Sequence, residues 1–167
     1  MPKIIENIRE ELLCEAKRQI TERGYQNTTI RSVAGECGIA VGTVYNYFKS
    51  KDMLIASFVL KDWMECLEAI ASTSKADRYL FLRSMHEELI SFAAKHEALF
   101  SDKEAAKAFG MSVSERHGQL RDQLAEQIMP VACDRFLAEY VAEAMLCWTM
   151  AGRDFDEIYS LLPEKIK

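Results

Sequence analysis

Tyr45, Asn46 and Tyr47 follow one another inside an uncharged stretch, GIAVGTVYNYF (38–48), with Arg31, Lys49 and Lys51 on either side. Two phenols and an amide can hydrogen-bond phosphate oxygens without carrying charge, and flanking cations add electrostatic attraction. Gly42 and Thr43 just ahead of them are small enough to let a backbone come close to its partner. This is binding chemistry rather than bond-breaking chemistry.

Arrangements for catalysis or metal binding are incomplete. HEELI (86–90) begins like the zinc-peptidase HExxH but has Ile90 where the second histidine is needed. His86, His96 and His117 have no cysteine or carboxylate at the spacing of a common metal motif, so no metal and no cofactor are expected. Gly35, Gly38 and Gly42 do not form a dinucleotide fingerprint, and no strand precedes them. No nucleophile elbow surrounds any serine. Glu87, Glu88, Glu139 and Glu143 read as solvated helix faces. No enzyme is expected.

The whole chain must supply the scaffold. Its 167 residues suffice for one or two domains with a real core, and 49% hydrophobic with 28% charged residues is a globular composition. The longest apolar run, LIASFVL (54–60), is too short to span a membrane. The N-terminus shows no apolar signal-peptide core and no small-residue cleavage site, so a cytoplasmic chain is expected. Five scattered cysteines without a CxxC pair fit reduced thiols. Net charge is −5, but Arg23 to Lys51 holds four basic residues against one acid, whereas 53–167 holds 13 against 19. A locally basic module on an acidic body can still bind phosphate.

The periodicity predicts an all-α protein. From Ile4 to Arg23, Ile5, Ile8, Leu12, Ala16 and Ile20 follow helical spacing, and Gly24 stands where a helix would end. Thr28 is placed to cap a second helix carrying Ile30, Val33, Ala34 and Cys37 inward. Gly38 breaks it, and Val44 and Phe48 form the inner face of a third. Ser50 can cap a long helix from Lys51. Two short helices around a glycine-containing turn make a helix-turn-helix, with the second exposed. The expected division is residues 1–50 as this module and 51–167 as a helical body. A buried helical hairpin is the alternative, but Tyr45, Asn46 and Tyr47 are too polar to bury together without partners.

At this point the sequence resembles a family. The run ITERGYQNTTIRSVAGECGIAVGTVYNYFKSKDML (20–54) looks like the DNA-binding segment of TetR/AcrR-type transcriptional regulators. The matching features are Arg23-Gly24-Tyr25, the pair Thr28-Thr29, the Ile-x-x-Val-Ala face, Gly38, the GT-hydrophobe-Tyr-x-x-Phe helix and Lys-Ser-Lys-Asp. The resemblance spans residues 8–58 and returns weakly at 138–162. It implies DNA contacts from Thr29 and Arg31, from Val41, Gly42, Thr43, Tyr45, Asn46 and Tyr47, and a phosphate contact from Lys51. Two positions depart from the pattern. Ala40 replaces a common capping Ser or Thr, at about 1 kcal/mol, and Val41 replaces a polar residue and offers only apolar contact, for instance to a thymine methyl. Arg31 is then the first choice for reading a base.

The body reads as a sensor and dimer module. Helices over 51–72 and 77–97, separated by TSKAD (73–77), present Trp63, Leu67, Phe81, Met85, Leu89 and Phe92, with His86 and His96 as polar neighbours. Aromatics and Met pack adaptably, so these eight are expected to hold an apolar or aromatic small-molecule effector. The glycine-bearing 101–118 segment is the expected gate. Residues 131–151 are apolar on two faces: Phe136 and Tyr140 on one, Leu137, Val141, Ala144 and Trp148 on another. A helix apolar nearly all round needs neighbours on both sides, here a second subunit. The function expected is a homodimeric repressor released from a palindromic double-stranded DNA operator by its effector. The alternative is an all-α interaction protein that uses the helix-turn-helix only as scaffold.

Overall fold

The computed structural model of the chain describes residues 7–108, 113–164 and 166, with the backbone alone at 106–108 and 113–116. Every regular element among the described residues is a helix. In chain order these are α1 (Ile8–Asn27), α2 (Ile30–Glu36), α3 (Val41–Tyr47), α4 (Lys51–Ser72) and α5 (Arg78–Lys95). Then follow α6 (Glu97–Phe100), α7 (Lys103–Ala108), α8 (Val113–Ile128), α9 (Arg135–Met150) and α10 (Phe155–Leu161). Among the described residues no helix is long and apolar enough to cross a membrane. The expected helical residues Ile4 and Ile5, and residues 109–112 of the expected gate, lie outside the described residues.

The helices form two units, Met1–Asp62 with His96–Gly110, and Trp63–Lys95 with Met111–Lys167. This differs from a division after residue 50, and the reason is burial. Leu54, Ile55 and Phe58 on the first half of α4 belong to the same core as Leu12, Ala16, Ile20, Val33, Val44 and Phe48. Leu99 of α6 and Ala105 of α7 complete that core.

In the first unit, Gly24 adopts φ +77°, a left-handed conformation that interrupts regular helix geometry before the chain turns on to Asn27. Thr28 is not the cap of α2. It is buried, and its hydroxyl donates to the Gly24 carbonyl at 3.0 Å, closing the end of α1. Thr29 is the cap instead. Its Oγ1 accepts from the Ser32 N–H, and the Ser32 hydroxyl accepts from the Thr29 N–H, both at 3.0 Å. This capping box satisfies two backbone donors at once. Ser50 plays its expected part, accepting from the Met53 N–H at 3.1 Å at the head of α4.

In the second unit α8 and α9 pack side by side, joined through residues 129–134. Asp134 caps α9 by accepting from the Leu137 N–H at 2.8 Å, and Asp154 caps α10. Leu124, Ile128, Val141, Met145, Phe81, Leu82, Met85 and Leu89 are buried in this unit. The two apolar faces of α9 differ in burial. Leu137, Val141 and Ala144 are buried within the protomer, while Phe136 is 80% exposed and Tyr140 is exposed beside it. Placing Leu137, Val141 and Ala144 on a subunit interface is therefore corrected: they are core of this unit.

Candidate nucleic-acid interface

The seat of α3 is built from α1 upward. Gln19 of α1 is fully buried, and its amide donates to Glu15 Oε1 at 2.6 Å while its carbonyl oxygen accepts from the Ser32 hydroxyl at 2.6 Å. Ser32 in turn closes the capping box on Thr29. A partly buried polar relay thus runs from α1 to the first turn of α2, the turn that carries Arg31. Arg18 donates to both oxygens of Glu15 and holds that carboxyl below its ordinary range, against the opposing effect of burial.

Between α2 and α3 lies the four-residue turn Cys37-Gly38-Ile39-Ala40, with Gly38 at φ +67°. That conformation strains any residue bearing a Cβ. The Ile39 N–H donates to the Ala34 carbonyl at 3.0 Å and fixes the turn. As the sequence suggested, Ala40 caps α3 without any side-chain hydrogen bond. Val44 and Phe48 are buried and anchor the helix, with the Arg9 guanidinium 5.5 Å from the Phe48 ring centre.

Anchored this way, α3 turns its polar side outward. Tyr45 is 45% and Tyr47 46% exposed, and Gly42 and Asn46 are exposed with them. Val41 and Thr43 are half-buried at its first turn. Thr29 and Arg31 are exposed at the start of α2. No hydrogen bond or ion pair holds the Arg31 guanidinium among the described residues. Lys49 donates to the Tyr45 carbonyl at 3.2 Å.

Lys51 is engaged within the unit. Its Nζ donates to the Tyr25 carbonyl at 2.9 Å and lies 3.6 Å from the centre of the Tyr25 ring. Burial lowers its pKa. The Tyr25 hydroxyl donates to Asp52 Oδ1 at 2.6 Å, and burial first, then Asp52, raises the phenol's pKa. Tyr25, Lys51 and Asp52 therefore tie the end of α1 to the head of α4. Sequence reasoning named Lys51 only as a phosphate contact and missed Gln19, Ser32 and Asp52. Tyr25 was visible as part of the Arg-Gly-Tyr signature, but its partner was not.

The expected effector residues fall in two places. Trp63, Leu67, Phe81, Met85, His86, Leu89 and Phe92 are all buried in the second unit. Trp63 meets Phe92 edge to face at 5.3 Å, and its indole N–H donates to Gln123 Oε1 at 2.7 Å. His86 Nε2 lies 3.0 Å from the Arg153 carbonyl. His96 is the exception. It belongs to the first unit, with Nε2 2.9 Å from Asp62 Oδ2 and its ring stacked on Phe58 at 5.9 Å. Lys17 donates to the same Asp62 oxygen at 2.6 Å. His96 is corrected from effector ligand to partner of a buried carboxylate. Helical spacing carried it into the stripe of α5, but α5 ends at Lys95.

Of the expected dimer residues, Phe136 and Tyr140 are exposed and Trp148 is half-buried.

The sequence profile of bacterial regulatory proteins of the tetR family matches residues 12–58, the segment that builds this surface. The helix-turn-helix segment of this chain is thus of the tetR-family type. Similar proteins agree. The HTH-type transcriptional repressor KstR2 of Mycolicibacterium smegmatis is 39% identical over 59 residues, 35% of this chain and 28% of KstR2. The HTH-type transcriptional regulator UidR of Escherichia coli is 26% identical over 137 residues, 82% of this chain and 64% of UidR. The chain thus spans less than two thirds of the length of either relative. The crystal structure of a TetR-family transcriptional regulator from Pectobacterium atrosepticum shares the fold. Its TM-score is 0.67 at 18% identity, and the match covers 99% of this chain and 92% of that one.

Proposed function

We propose that this chain is a TetR-family DNA-binding transcriptional regulator, a homodimeric repressor that leaves a palindromic operator when an apolar or aromatic small molecule binds. The observation that carries the reading is the outward row on α3, Tyr45, Asn46 and Tyr47, beside an exposed Arg31 that no neighbour holds among the described residues. Thr29, Val41, Gly42 and Thr43 complete a surface that fits a groove, the phenols and amide taking phosphate oxygens and Arg31 a base edge. Lys51 supports it from behind through Tyr25 and supplies a phosphate contact at the rim.

One helix-turn-helix reads too few base pairs to select a genomic site, which favours two copies on a two-fold operator. Phe136 and Tyr140 on the open side of α9, with the half-buried Trp148, supply an apolar surface for that pairing. The aromatic stripe Trp63, Leu67, Phe81, Met85, Leu89 and Phe92 supports an apolar effector, with His86 and Gln123 as the polar groups beside it. The name of KstR2, a repressor, favours repression over activation.

Selection of bound fragments from mixed genomic DNA tests the reading. A regulator enriches a two-fold-symmetric sequence, and Tyr45→Ala weakens retention. If no fragment is retained above non-specific background at low salt, the chain is instead an interaction protein whose helix-turn-helix is scaffold. For the effector, Trp63 fluorescence should change on adding the inducing compound and stay unchanged with polar controls.

A further inference from the structure

The folded second unit brings together residues that no linear motif links. Glu143 and Cys147 are one helical turn apart on α9, so they share a face. His117 reaches the same point from α8. His117 Nε2 lies 2.8 Å from Glu143 Oε1. Cys147 Sγ lies 3.1 Å from that oxygen and 3.8 Å from the imidazole nitrogen. All three side chains are partly exposed in the protomer.

We propose that His117, Glu143 and Cys147 form a three-ligand site for a divalent transition metal of the zinc class. Three observations carry this. The donor set comes first: an imidazole and a thiol select zinc-like metals and disfavour magnesium and calcium, which take oxygen ligands. The second is spacing. Bonds of about 2.0–2.1 Å to nitrogen and oxygen and about 2.3 Å to sulfur place tetrahedral ligand atoms roughly 3.3–3.6 Å apart. The present separations of 2.8 and 3.1 Å reach that range by opening about half an ångström, and that of 3.8 Å by closing about a quarter of one. The third is an open side. His117 and Glu143 also line a cleft of about 630 Å³ with Arg121, Phe136 and Tyr140, leaving room for water or another donor as fourth ligand. The one cation in that lining, Arg121, is turned to Asp122 at 2.7 Å, which tempers its repulsion of an incoming ion.

Without metal, Glu143 accepts hydrogen bonds from both neighbours. With metal, the Cys147 S–H bond breaks and its proton goes to buffer, the His117 proton passes from Nε2 to Nδ1 through solvent, and the freed sulfur and Nε2 lone pairs go to the ion. No electron changes owner. The reading does not depend on DNA binding; it places the ion on the same face of α9 as Phe136 and Tyr140, the face proposed for pairing.

The test is titration of the full chain with Co²⁺, a spectroscopic stand-in for Zn²⁺. A single bound cobalt should give the intense visible bands of four-coordinate geometry and a thiolate-to-cobalt charge-transfer band in the near ultraviolet. Added Zn²⁺ should bleach both. Cys147→Ser should remove the charge-transfer band, and His117→Gln should weaken binding by more than about tenfold. A chain with Cys14→Ser and Cys133→Ser, the two exposed thiols, should keep the whole spectrum. Metal-free circular dichroism melts of each variant check folding, and the surface-facing His117→Gln stands in if Cys147→Ser is destabilised. A cobalt spectrum without a thiolate band, one that survives Cys147→Ser, or unchanged binding in His117→Gln would overturn the proposal.

Discussion

Gln19 Oε1, fully buried on α1, accepts the Ser32 hydroxyl of α2 at 2.6 Å. Through this bond the orientation of the proposed DNA-reading surface depends on a residue that cannot itself touch DNA. Gln19→Leu should take one partner from the Ser32 hydroxyl and one from the Glu15 carboxylate and destabilise the chain by about 1–3 kcal/mol. Urea denaturation measures the loss. Affinity should fall alike for operator and scrambled DNA, because geometry is lost rather than a base contact. A selective loss at one base pair would mean that Gln19 does more than position α2.

Arg31 and Lys51 should separate specificity from affinity. Arg31→Ala should relax discrimination at one base pair per half-site, by about 1–3 kcal/mol. Lys51→Ala should weaken all sequences and lower the salt slope by about 1. It should also lower the melting temperature, since Lys51 holds the Tyr25 carbonyl and ring. A randomised operator library read at two salt concentrations distinguishes them. Uniform loss across the library for Arg31→Ala would remove its base-reading role.

The two faces of α9 should respond in opposite ways to added charge. Phe136→Glu with Tyr140→Glu should leave a folded monomer by light scattering and circular dichroism. Leu137→Glu with Val141→Glu should unfold the second unit, because both side chains are buried in it. A mass of one chain for the unmutated protein at micromolar concentration would contradict the dimer.

Glu15 should leave a signature in acid. Its carboxyl is held below the ordinary 4.5, chiefly by the hydrogen bonds from Arg18, so the folded state binds fewer protons than the unfolded state just below that value. Its contribution to stability is therefore full above pH 4.5 and lost as pH falls through the lowered folded value. Glu15→Gln should be less stable than the parent at neutral pH, and the gap should close in acid. Urea midpoints across that range measure it. A gap that persists in acid would assign the effect to packing rather than charge.

The helices were legible because their apolar residues recur at helical spacing, and the α2–α3 turn because Gly38 marks it. The exposed row Tyr45, Asn46 and Tyr47 was legible because polar aromatics cannot be buried without partners. Partnerships across helices were not legible. Gln19 is a polar residue in an amphipathic pattern, and nothing local shows that it is buried against Ser32. His96 continues the spacing of α5 by arithmetic, yet it lies beyond the helix end and meets Asp62. The inner face of α9 was mistaken for a subunit surface because a sequence shows how apolar a face is, not which neighbour covers it. His117, Glu143 and Cys147 escaped notice for a similar reason: they come from two helices and fit no spaced motif.

The α3 row and Arg31 should read DNA. Fluorescence anisotropy of the sequence enriched from genomic fragments, against a scrambled duplex of equal length, tests it most directly. Binding to the enriched two-fold site should be tighter by at least about a thousandfold, with a steep salt dependence, and Tyr45→Ala should weaken binding to both duplexes. Equal affinity for both duplexes, unchanged by Tyr45→Ala and Arg31→Ala, would contradict it.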